Sequence, residues 1–193
     1  MGEPRPPEPA LLVVGCLYRE EEWLQAAAAR LSAALGPVEP VGPAWDFVWS
    51  DYYAREMGAG LKRRFLRAQR LAPRELLPEL KLLCNRAERA LADEAGRRRV
   101  NLDPGLLCSA QLVLATTKAR PHRIYLRDGI WAEVALQVAG GAWAPAPWTY
   151  PDYREPAVCA LLAALRLEYK EALRAARAGA DTRRLTAGDL TSE

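Results

Sequence analysis

The sequence has few residues that could hold a structural metal or form disulfide bonds. It contains one histidine and four cysteines, and the cysteines lie far apart in apolar runs, at Cys16, Cys84, Cys108 and Cys159. This spacing matches neither a paired-cysteine metal site nor a disulfide-rich scaffold. A single histidine also cannot build a zinc site without cysteines or carboxylates at suitable spacing. We therefore expect reduced, poorly accessible thiols and a reducing, cytoplasmic environment.

Long hydrophobic runs are also missing. The longest apolar run has about seven residues, whereas a helix needs about 20 to cross a bilayer. Residues 1–10 contain four prolines and no apolar segment of the kind found in signal peptides, so we expect a flexible N-terminal lead. The sequence thus predicts a cytoplasmic protein without a membrane segment.

A strong excess of one charge is absent as well. The 27 basic and 24 acidic residues give a formal net charge of +3, which is small for this length. A dedicated nucleic-acid-binding protein is usually more lopsided, so nucleic acid is disfavoured as a partner. The hydrophobic content of 50% suits one well-packed domain, which we assign to residues 11–178, with a disordered polar tail over residues 179–193.

Hydrophobic periodicity predicts the order β-α-β-β-α-β, followed by a helix, a hairpin and a last helix. The strands are expected at residues 11–18, 45–53, 61–71, 98–102, 122–126 and 130–138. The helices are expected at residues 20–35, 73–96, 103–118 and 155–177. This order predicts an α+β fold with a mixed sheet, helices mainly on one face, and a ferredoxin-like core extended by a C-terminal hairpin and helix.

The hairpin can be predicted in more detail. A three-residue loop at residues 127–129, with Gly129 in the left-handed conformation, pairs Leu126 with Ile130, Tyr125 with Trp131 and Ile124 with Ala132. A two-residue turn at Asp128-Gly129 would instead pair Arg127 with Ile130 and Arg123 with Val134, mixing charged and apolar groups on one face, so we favour the longer loop. The longer loop also places Arg123 opposite Glu133, within reach of a cross-strand ion pair.

Several phrases of the chain together resemble a known family. They are DYYAREMG at 51–58, LKRRF at 61–65, RVNLDPG at 99–105, LVLATTK at 112–118, HRIYL at 122–126, GIWAEV at 129–134 and TYPDY at 149–153. Over residues 11–169 the chain is similar to the bacterial domain-of-unknown-function family 4416. The resemblance implies no established activity. Some members are called GTP-binding proteins, but the P-loop pattern GxxxxGK[ST] is absent from this chain.

The stretch of residues 101–126 concentrates residue types that are common in active sites. It holds a carboxylate, three hydroxyls, two strong cations and the histidine, namely Asp103, Ser109, Thr116, Thr117, Lys118, Arg123 and His122. Each lies at or near the end of a predicted element, where side chains from different elements can converge. The stretch therefore predicts a functional site without naming its reaction.

Two sets of polar residues are candidates for ligand binding. Four cations could grip a phosphate, helped by a helix N-terminus, and these are Lys62, Arg64, Lys118 and Arg123. On the long helix, Lys81, Asn85 and Glu88 are spaced i, i+4 and i+7 and so share one stripe. For both sets the alternative interpretation is a solvated face of a strand or helix.

Candidates for chemistry come from the acidic residues and the histidine. Asp51 and Asp103 could hold Mg²⁺, because hard cations prefer oxygen ligands. Asp103 could also serve in acid–base catalysis, with His122 as a proton shuttle. The alternatives are that Asp103 caps a helix and that His122 is a structural hydrogen-bonding group.

From these features we expect a protein that binds a small anionic ligand, either a nucleotide or another phosphorylated metabolite. If it is an enzyme, the residues favour Mg²⁺-dependent phosphoryl or nucleotidyl chemistry. The alternative is a non-enzymatic interaction module. In that case the aromatic residues 45–53 and the segment 149–153 would form a homodimer or partner surface.

Overall fold

The computed structural model of the chain describes residues 2–177 and 184–190. Its strands are β1 (Ala10–Tyr18), β2 (Val38–Asp46), β3 (Lys62–Ala72), β4 (Val100–Leu107), β5 (Gln111–Thr116), β6 (Ile124–Arg127), β7 (Ile130–Ala139) and β8 (Ala142–Pro145). Its helices are α1 (Glu21–Leu35), α2 (Ala54–Met57), α3 (Leu77–Ala90) and α4 (Pro156–Arg177). Short 3-10 turns lie at Arg74–Leu76, Pro151–Arg154 and Ala187–Leu190.

The strands form a sheet in the order β2-β3-β1-β4-β5-β7-β6, and β8 also pairs with β7. The first four strands have the ferredoxin-like order, so the predicted α+β class and core are confirmed. The prediction of a mixed sheet is wrong, because all strand pairs within the described residues are antiparallel. The reason lies in the connections. Helices α1 and α3 each join strands that have another strand between them, and that intervening strand runs the opposite way.

Strand β1 lies inside the sheet, between β3 and β4, and all nine of its residues are buried. This confirms the prediction from its continuous apolar run, since such a strand must be covered on both faces. The neighbouring β3 shows which helix covers which face. Arg64 is paired with Glu21 of α1, whereas Arg67 is paired with Glu168 of α4. Successive odd and even residues of a strand face opposite ways, so α1 and its neighbour α3 cover one face and α4 covers the other.

The predicted strand at residues 45–53 is wrong over most of its length. The observed β2 ends at Asp46, and residues 47–53 form a loop that leads into α2. Pro40 and Pro43 argue against a strand at residues 38–46, because proline cannot donate a backbone hydrogen bond, but the edge strand β2 can accommodate them. The alternating aromatic residues pack on one another in the loop instead, with 5.6 Å between the ring centroids of Phe47 and Trp49.

The predicted helix at residues 103–118 is also wrong. Strand β4 continues through Asp103 and Pro104 to Leu107, and β5 follows after a short turn. Asp103 therefore does not cap a helix. Proline tolerates this position because β4 begins to pair with β5 only at the next residue, Gly105. Helix α3 is shorter than predicted as well, ending at Ala90.

The C-terminal hairpin has the predicted core register. Tyr125 pairs with Trp131 and Ile124 pairs with Ala132, but Ile130 pairs with Arg127 instead of Leu126. The loop consists of two residues in the left-handed conformation, Asp128 at φ 54° and Gly129 at φ 74°. The predicted three-residue loop is therefore wrong, although a bulge at Leu126 gives the pairs at Tyr125 and Ile124 the predicted register. The predicted ion pair is confirmed, with 2.7 Å between Arg123 Nε and Glu133 Oε2.

Part of the tail that we expected to be disordered packs against the domain. Leu185 and Leu190 are buried, and the amide of Leu185 donates to the carbonyl of Leu71 at 3.0 Å. The rest of that predicted tail lies outside the described residues. All four cysteines are free, and three of them are buried, as predicted. No helix in the described part of the chain is both long and apolar enough to cross a membrane.

Candidate ligand-binding site

The candidate site is a cleft where β4 and β5 separate. The two strands pair only at residues 105–107 and 112–114. Beyond these pairs, side chains from α3, from β4, from the end of β5 and from the loop at 47–53 line a cavity of about 350 Å³, which we call the polar cavity. Its lining includes four predicted site residues, Lys81, Asn85, Asp103 and Lys118. The tertiary structure thus brings together residues that are 37 positions apart in the sequence, from 81 to 118.

Lys81 forms the floor of the polar cavity. Its residue exposure is only 5%, and its ammonium group donates to the carbonyl of Leu102 at 2.7 Å. Its Nζ also lies 3.4 Å from Asp103 Oδ1. Burial lowers the pKa of Lys81, but the nearby charges of Asp103 and Glu88 outweigh it and leave the pKa above its ordinary value. The cavity therefore holds a fixed positive charge at its base.

Glu88 lies on the same stripe of α3 as Lys81, as the i, i+7 spacing predicted. Its Oε1 accepts a hydrogen bond from the amide of Leu102 at 2.6 Å. Burial raises the pKa of Glu88, and the charge of Lys81 offsets only part of that rise. The two side chains hold one residue of β4 from both sides, since Lys81 binds the carbonyl of Leu102 and Glu88 binds its amide.

A chain of hydrogen bonds connects the polar cavity to α2. Glu56 accepts two bonds from the guanidinium of Arg98, at 2.6 and 2.8 Å. Arg98 also donates to Asn101 Oδ1 at 2.6 Å, and Asn101 Nδ2 donates to Asp103 Oδ2 at 2.7 Å. Asn101 and Asp103 face the same side because they are two residues apart on a strand. Both carboxylate oxygens of Asp103 are thus engaged, one by Asn101 and the other by Lys81.

Lys118 stands at the mouth of the polar cavity. Its ammonium group donates to the hydroxyl of Tyr52 at 3.1 Å and lies 4.2 Å from the centre of the same ring. This hydrogen bond lowers the pKa of Tyr52 below its ordinary value. In residues 2–177 and 184–190, Lys118 forms no ion pair with a carboxylate, and neither does Arg89, which also lines the polar cavity.

A second cavity of about 320 Å³ adjoins the first, and we call it the aromatic cavity. Five residues line both cavities, namely Tyr52, Tyr53, Asp103, Lys118 and Tyr150. The aromatic cavity adds the rings of Phe47 and Trp49 and the cations Arg63, Arg120 and Arg123. The two spaces are therefore adjoining compartments of one cleft.

Arg63 is a buried cation in the wall of the aromatic cavity. Its side chain is 5% exposed, and its Nη2 lies 2.7 Å from Asp152 Oδ2. The guanidinium lies 5.6 Å from the ring centres of both Phe47 and Tyr153. Among the described residues, its Nε and Nη1 have no hydrogen-bond acceptor. Gly15 leaves room for this arrangement, since a Cβ there would lie 2.9 Å from Nη1 and would collide with the Tyr153 hydroxyl.

Arg123 is held by a buried carboxylate. Glu133, whose side chain is 1% exposed, accepts from Arg123 Nε at 2.7 Å and contacts His122 Nε2 at 2.9 Å. Arg123 donates in turn to the carbonyl of Lys118 at 2.7 Å and to the hydroxyl of Tyr150 at 3.0 Å. Arg123 thus connects the backbone at Lys118 to one of the aromatic walls. His122 stacks on a tryptophan, Trp148, with 4.9 Å between ring centroids.

The other predicted site residues lie elsewhere. His122 is absent from the described lining of both cavities, and so are Asp51, Lys62 and Arg64. Arg64 faces α1, where it pairs with Glu21. Their positions do not test the functional roles that were predicted for them. Within the described residues, no cluster of three or more His, Cys, Asp or Glu side chains could hold a metal ion.

Sequence reasoning missed several residues that shape the cleft. Arg98 pairs with Glu56, which is 42 positions away, so no local pattern places it in the cleft. Asn101 carried a usable signal, because the pattern Asn101-Leu-Asp103 places both polar groups on one face of any strand. The mistaken helix at 103–118 concealed that signal. Tyr52 and Tyr53 were assigned to a strand and not to the wall of a cavity.

These observations define an α+β protein with a ferredoxin-like core and a charged, partly aromatic cleft at the point where β4 and β5 separate. Residues 8–169 match the family described as Domain of unknown function (DUF4416), and the chain belongs to this family. The resemblance inferred from the sequence phrases is thereby confirmed. No curated protein and no solved structure is significantly similar to the chain.

Proposed function

We propose that the protein binds a small phosphate-bearing ligand, a nucleotide or another phosphorylated metabolite, with its phosphate in the polar cavity. The observation that carries this proposal is the charge of the lining. Four cations face two carboxylates there, namely Lys81, Arg89, Arg98 and Lys118 against Glu88 and Asp103. An anionic group would balance the excess positive charge.

The excess positive charge of the polar cavity comes from two of its four cations. Asp103 pairs with Lys81, and Glu56 and Glu88 both pair with Arg98. Lys118 and Arg89 are the lining cations that have no carboxylate partner among the described residues. Both are exposed at the mouth, where a ligand can reach them. A phosphate between them would gain two charge-assisted hydrogen bonds, which are shorter and stronger than bonds between neutral groups.

Neutral donors in the same cavity support binding of a phosphate. The amide of Asn85 and the hydroxyl of Thr117 both line it. Asparagine is a poor helix former, so its position on the cavity face of α3 is better explained by a ligand than by helix stability. Mg²⁺ is left out of the proposal. The ammonium group of Lys81 lies 3.4 Å from Asp103 Oδ1 and would repel a divalent cation there, and Asp51 does not line the described cavities.

Calorimetric titration with inorganic phosphate, ribose 5-phosphate and nucleoside monophosphates tests the proposal. We expect saturable binding by at least one phosphate ligand, and we expect Lys118→Ala and Arg89→Ala each to weaken it about tenfold or more. Matched controls are Lys62→Ala and Arg174→Ala, which remove exposed cations that lie outside the described cavity lining. Equal losses in the test and control variants, or no binding of any phosphate ligand, would contradict the proposal.

The alternative predicted from the sequence, a partner or homodimer surface, is motivated by exposed apolar side chains near the cleft. Val48 is 79% exposed and Trp148 is 41% exposed. Large exposed apolar groups are typical of interaction surfaces. Sedimentation of the protein over a range of concentrations, compared with Val48→Asp, tests this candidate. A dimer that dissociates in the variant would support it, and a monomer at all concentrations would oppose a homodimer.

A further inference from the structure

The aromatic cavity provides the kind of surface that a flat ring system needs. We propose that it binds the base of a nucleotide, so that the ligand of the polar cavity is a nucleotide and not a sugar phosphate. This inference rests on the function proposed above and adds the chemical class of the ligand. The phosphate would occupy the polar cavity, and the base would occupy the adjoining aromatic one.

The first support is the aromatic lining itself. Five rings line the cavity, at Phe47, Trp49, Tyr52, Tyr53 and Tyr150. Tyr52 is 61% exposed and Tyr150 is 39% exposed, so a ligand can reach both rings. Aromatic side chains stack on nucleic-acid bases without regard to the particular base, because every base has a π face. A sugar phosphate has no π face to stack on these rings.

The rings are also held in place before any ligand binds. The indole of Trp49 donates to Glu155 Oε1 at 3.1 Å, which ties the loop to the start of α4. Phe47 contacts both Trp49 and Tyr53 edge to face, at centroid distances of 5.6 and 6.1 Å. A stacking surface that is already ordered loses less conformational entropy when the ligand binds.

The second support is the buried charge behind the rings. Four cations line the aromatic cavity against two carboxylates, namely Arg63, Lys118, Arg120 and Arg123 against Asp103 and Asp152. Arg63 is paired with Asp152 and Arg123 with Glu133, so Lys118 and Arg120 are the cations of this lining that have no carboxylate partner among the described residues. The ring nitrogens and carbonyl oxygens of a base are hydrogen-bond acceptors. Such an acceptor-rich edge suits a cavity with excess positive charge better than a purely apolar ring does.

The third support is the position of Asp103 between the two compartments. Its side chain is 27% exposed and lines both cavities. A carboxylate can accept hydrogen bonds from the hydroxyl groups of ribose, as it does in dinucleotide-binding proteins. Asp103, which both cavities share, therefore lies where the ribose would lie, between a phosphate in the polar cavity and a base in the aromatic one. The volumes of about 350 and 320 Å³ are sufficient for a ligand of this size.

Calorimetric titration of the full chain separates this inference from the function on which it rests. We expect at least one nucleoside monophosphate to bind roughly tenfold or more tightly than ribose 5-phosphate, the same molecule without its base. Ribose 5-phosphate binding as tightly as all four common nucleoside monophosphates would overturn the inference and leave phosphate binding intact. Failure of every phosphate ligand to bind would overturn both.

Variants in the rings provide a second test. Trp49→Leu and Phe47→Leu keep apolar bulk but remove stacking, and both residues line only the aromatic cavity. We expect each to weaken nucleotide binding about fivefold to tenfold and to leave ribose 5-phosphate binding unchanged. Tyr125→Leu is the matched control, because Tyr125 is an exposed aromatic residue on β6 that lines neither described cavity. Equal weakening of both ligands, or no change in either, would overturn the base-binding role. Thermal denaturation of each variant checks that it is folded.

Discussion

Replacement of Glu133 by alanine is expected to destabilise the fold strongly, because it leaves a cation without its partner in a nearly buried position. The side chains of Glu133 and Arg123 are 1% and 6% exposed. Glu133 Oε2 accepts a hydrogen bond from Arg123 Nε and contacts His122 Nε2. Burial lowers the pKa of Arg123, but its hydrogen bond to Glu133 raises it, and the pKa stays above its ordinary value.

The magnitude follows from the contacts that remain. Breaking a buried ion pair by removing one partner costs about 3 to 5 kcal/mol. Arg123 keeps its hydrogen bonds to the Lys118 carbonyl and the Tyr150 hydroxyl, so we expect the lower end, about 3 kcal/mol. For a chain of this length, that loss corresponds to a fall in melting temperature of roughly 6 to 12 °C.

Chemical denaturation of a double-mutant cycle measures this coupling. Arg123→Ala leaves Glu133 buried without its cation, whereas the double variant leaves neither charge. The double variant should therefore lose less stability than the two single losses added together, by about 1 to 3 kcal/mol. As a control, Glu20→Ala removes an ion pair with Arg19 in which both side chains are 51% exposed, and it should cost under about 1 kcal/mol. Additive losses in the cycle, or a Glu133→Ala loss no larger than that of the control, would refute the reasoning.

Three further predictions concern the core and the cleft. Gly15→Ala should lower the free energy of unfolding by about 1 to 3 kcal/mol, measured by denaturation, because the new methyl group collides with the Tyr153 hydroxyl; an unchanged stability would show that this contact relaxes freely. Burial raises the pKa of Glu88, so its contribution to stability is complete below the ordinary glutamate pKa of about 4.3 and is lost as pH rises through the raised value. The stability of Glu88→Gln relative to the unchanged protein should therefore increase between about pH 4 and pH 7, and a flat difference across denaturation curves in that range would contradict this. A thiol reagent should label Cys159 first, because the other three thiols, those of Cys16, Cys84 and Cys108, are buried and should react only when the protein opens. Rapid labelling of a buried thiol in the native protein would contradict this prediction.

Hydrophobic periodicity predicted the structure correctly in segments whose tertiary contacts match their local sequence preference. The apolar run of β1 predicted a strand buried on both faces, and the spacing of leucines and alanines predicted α1. The spacing of Lys81, Asn85 and Glu88 predicted one stripe of α3, and all three line the polar cavity. These predictions succeeded because the periods of strands and helices are fixed by backbone geometry over a few residues.

The errors arose where neighbours in space overrode local preference. Aspartate followed by proline normally favours a helix start, but β1 supplies a strand partner along the whole of β4, from Val100 to Leu107. Loop residues 47–53 have the alternation of a strand, yet they pack ring against ring and pair with no strand in the described structure. Neither outcome can be derived from a short window, because the deciding contact comes from another part of the chain.

By itself, the sequence determined the α+β class, the ferredoxin-like order of the first strands, the burial of β1 and the ion pair between Arg123 and Glu133. These properties follow from composition, periodicity and hairpin register, which act over short distances along the chain. Only the tertiary structure decided where the cleft lies and which charges remain without partners in it. Arg98 is paired with Glu56, whereas Lys118 at the mouth contacts Tyr52 and has no carboxylate partner in the described residues. That outcome depends on which of the 24 acidic residues come close to each cation, and proximity between distant segments is fixed by the folded sheet.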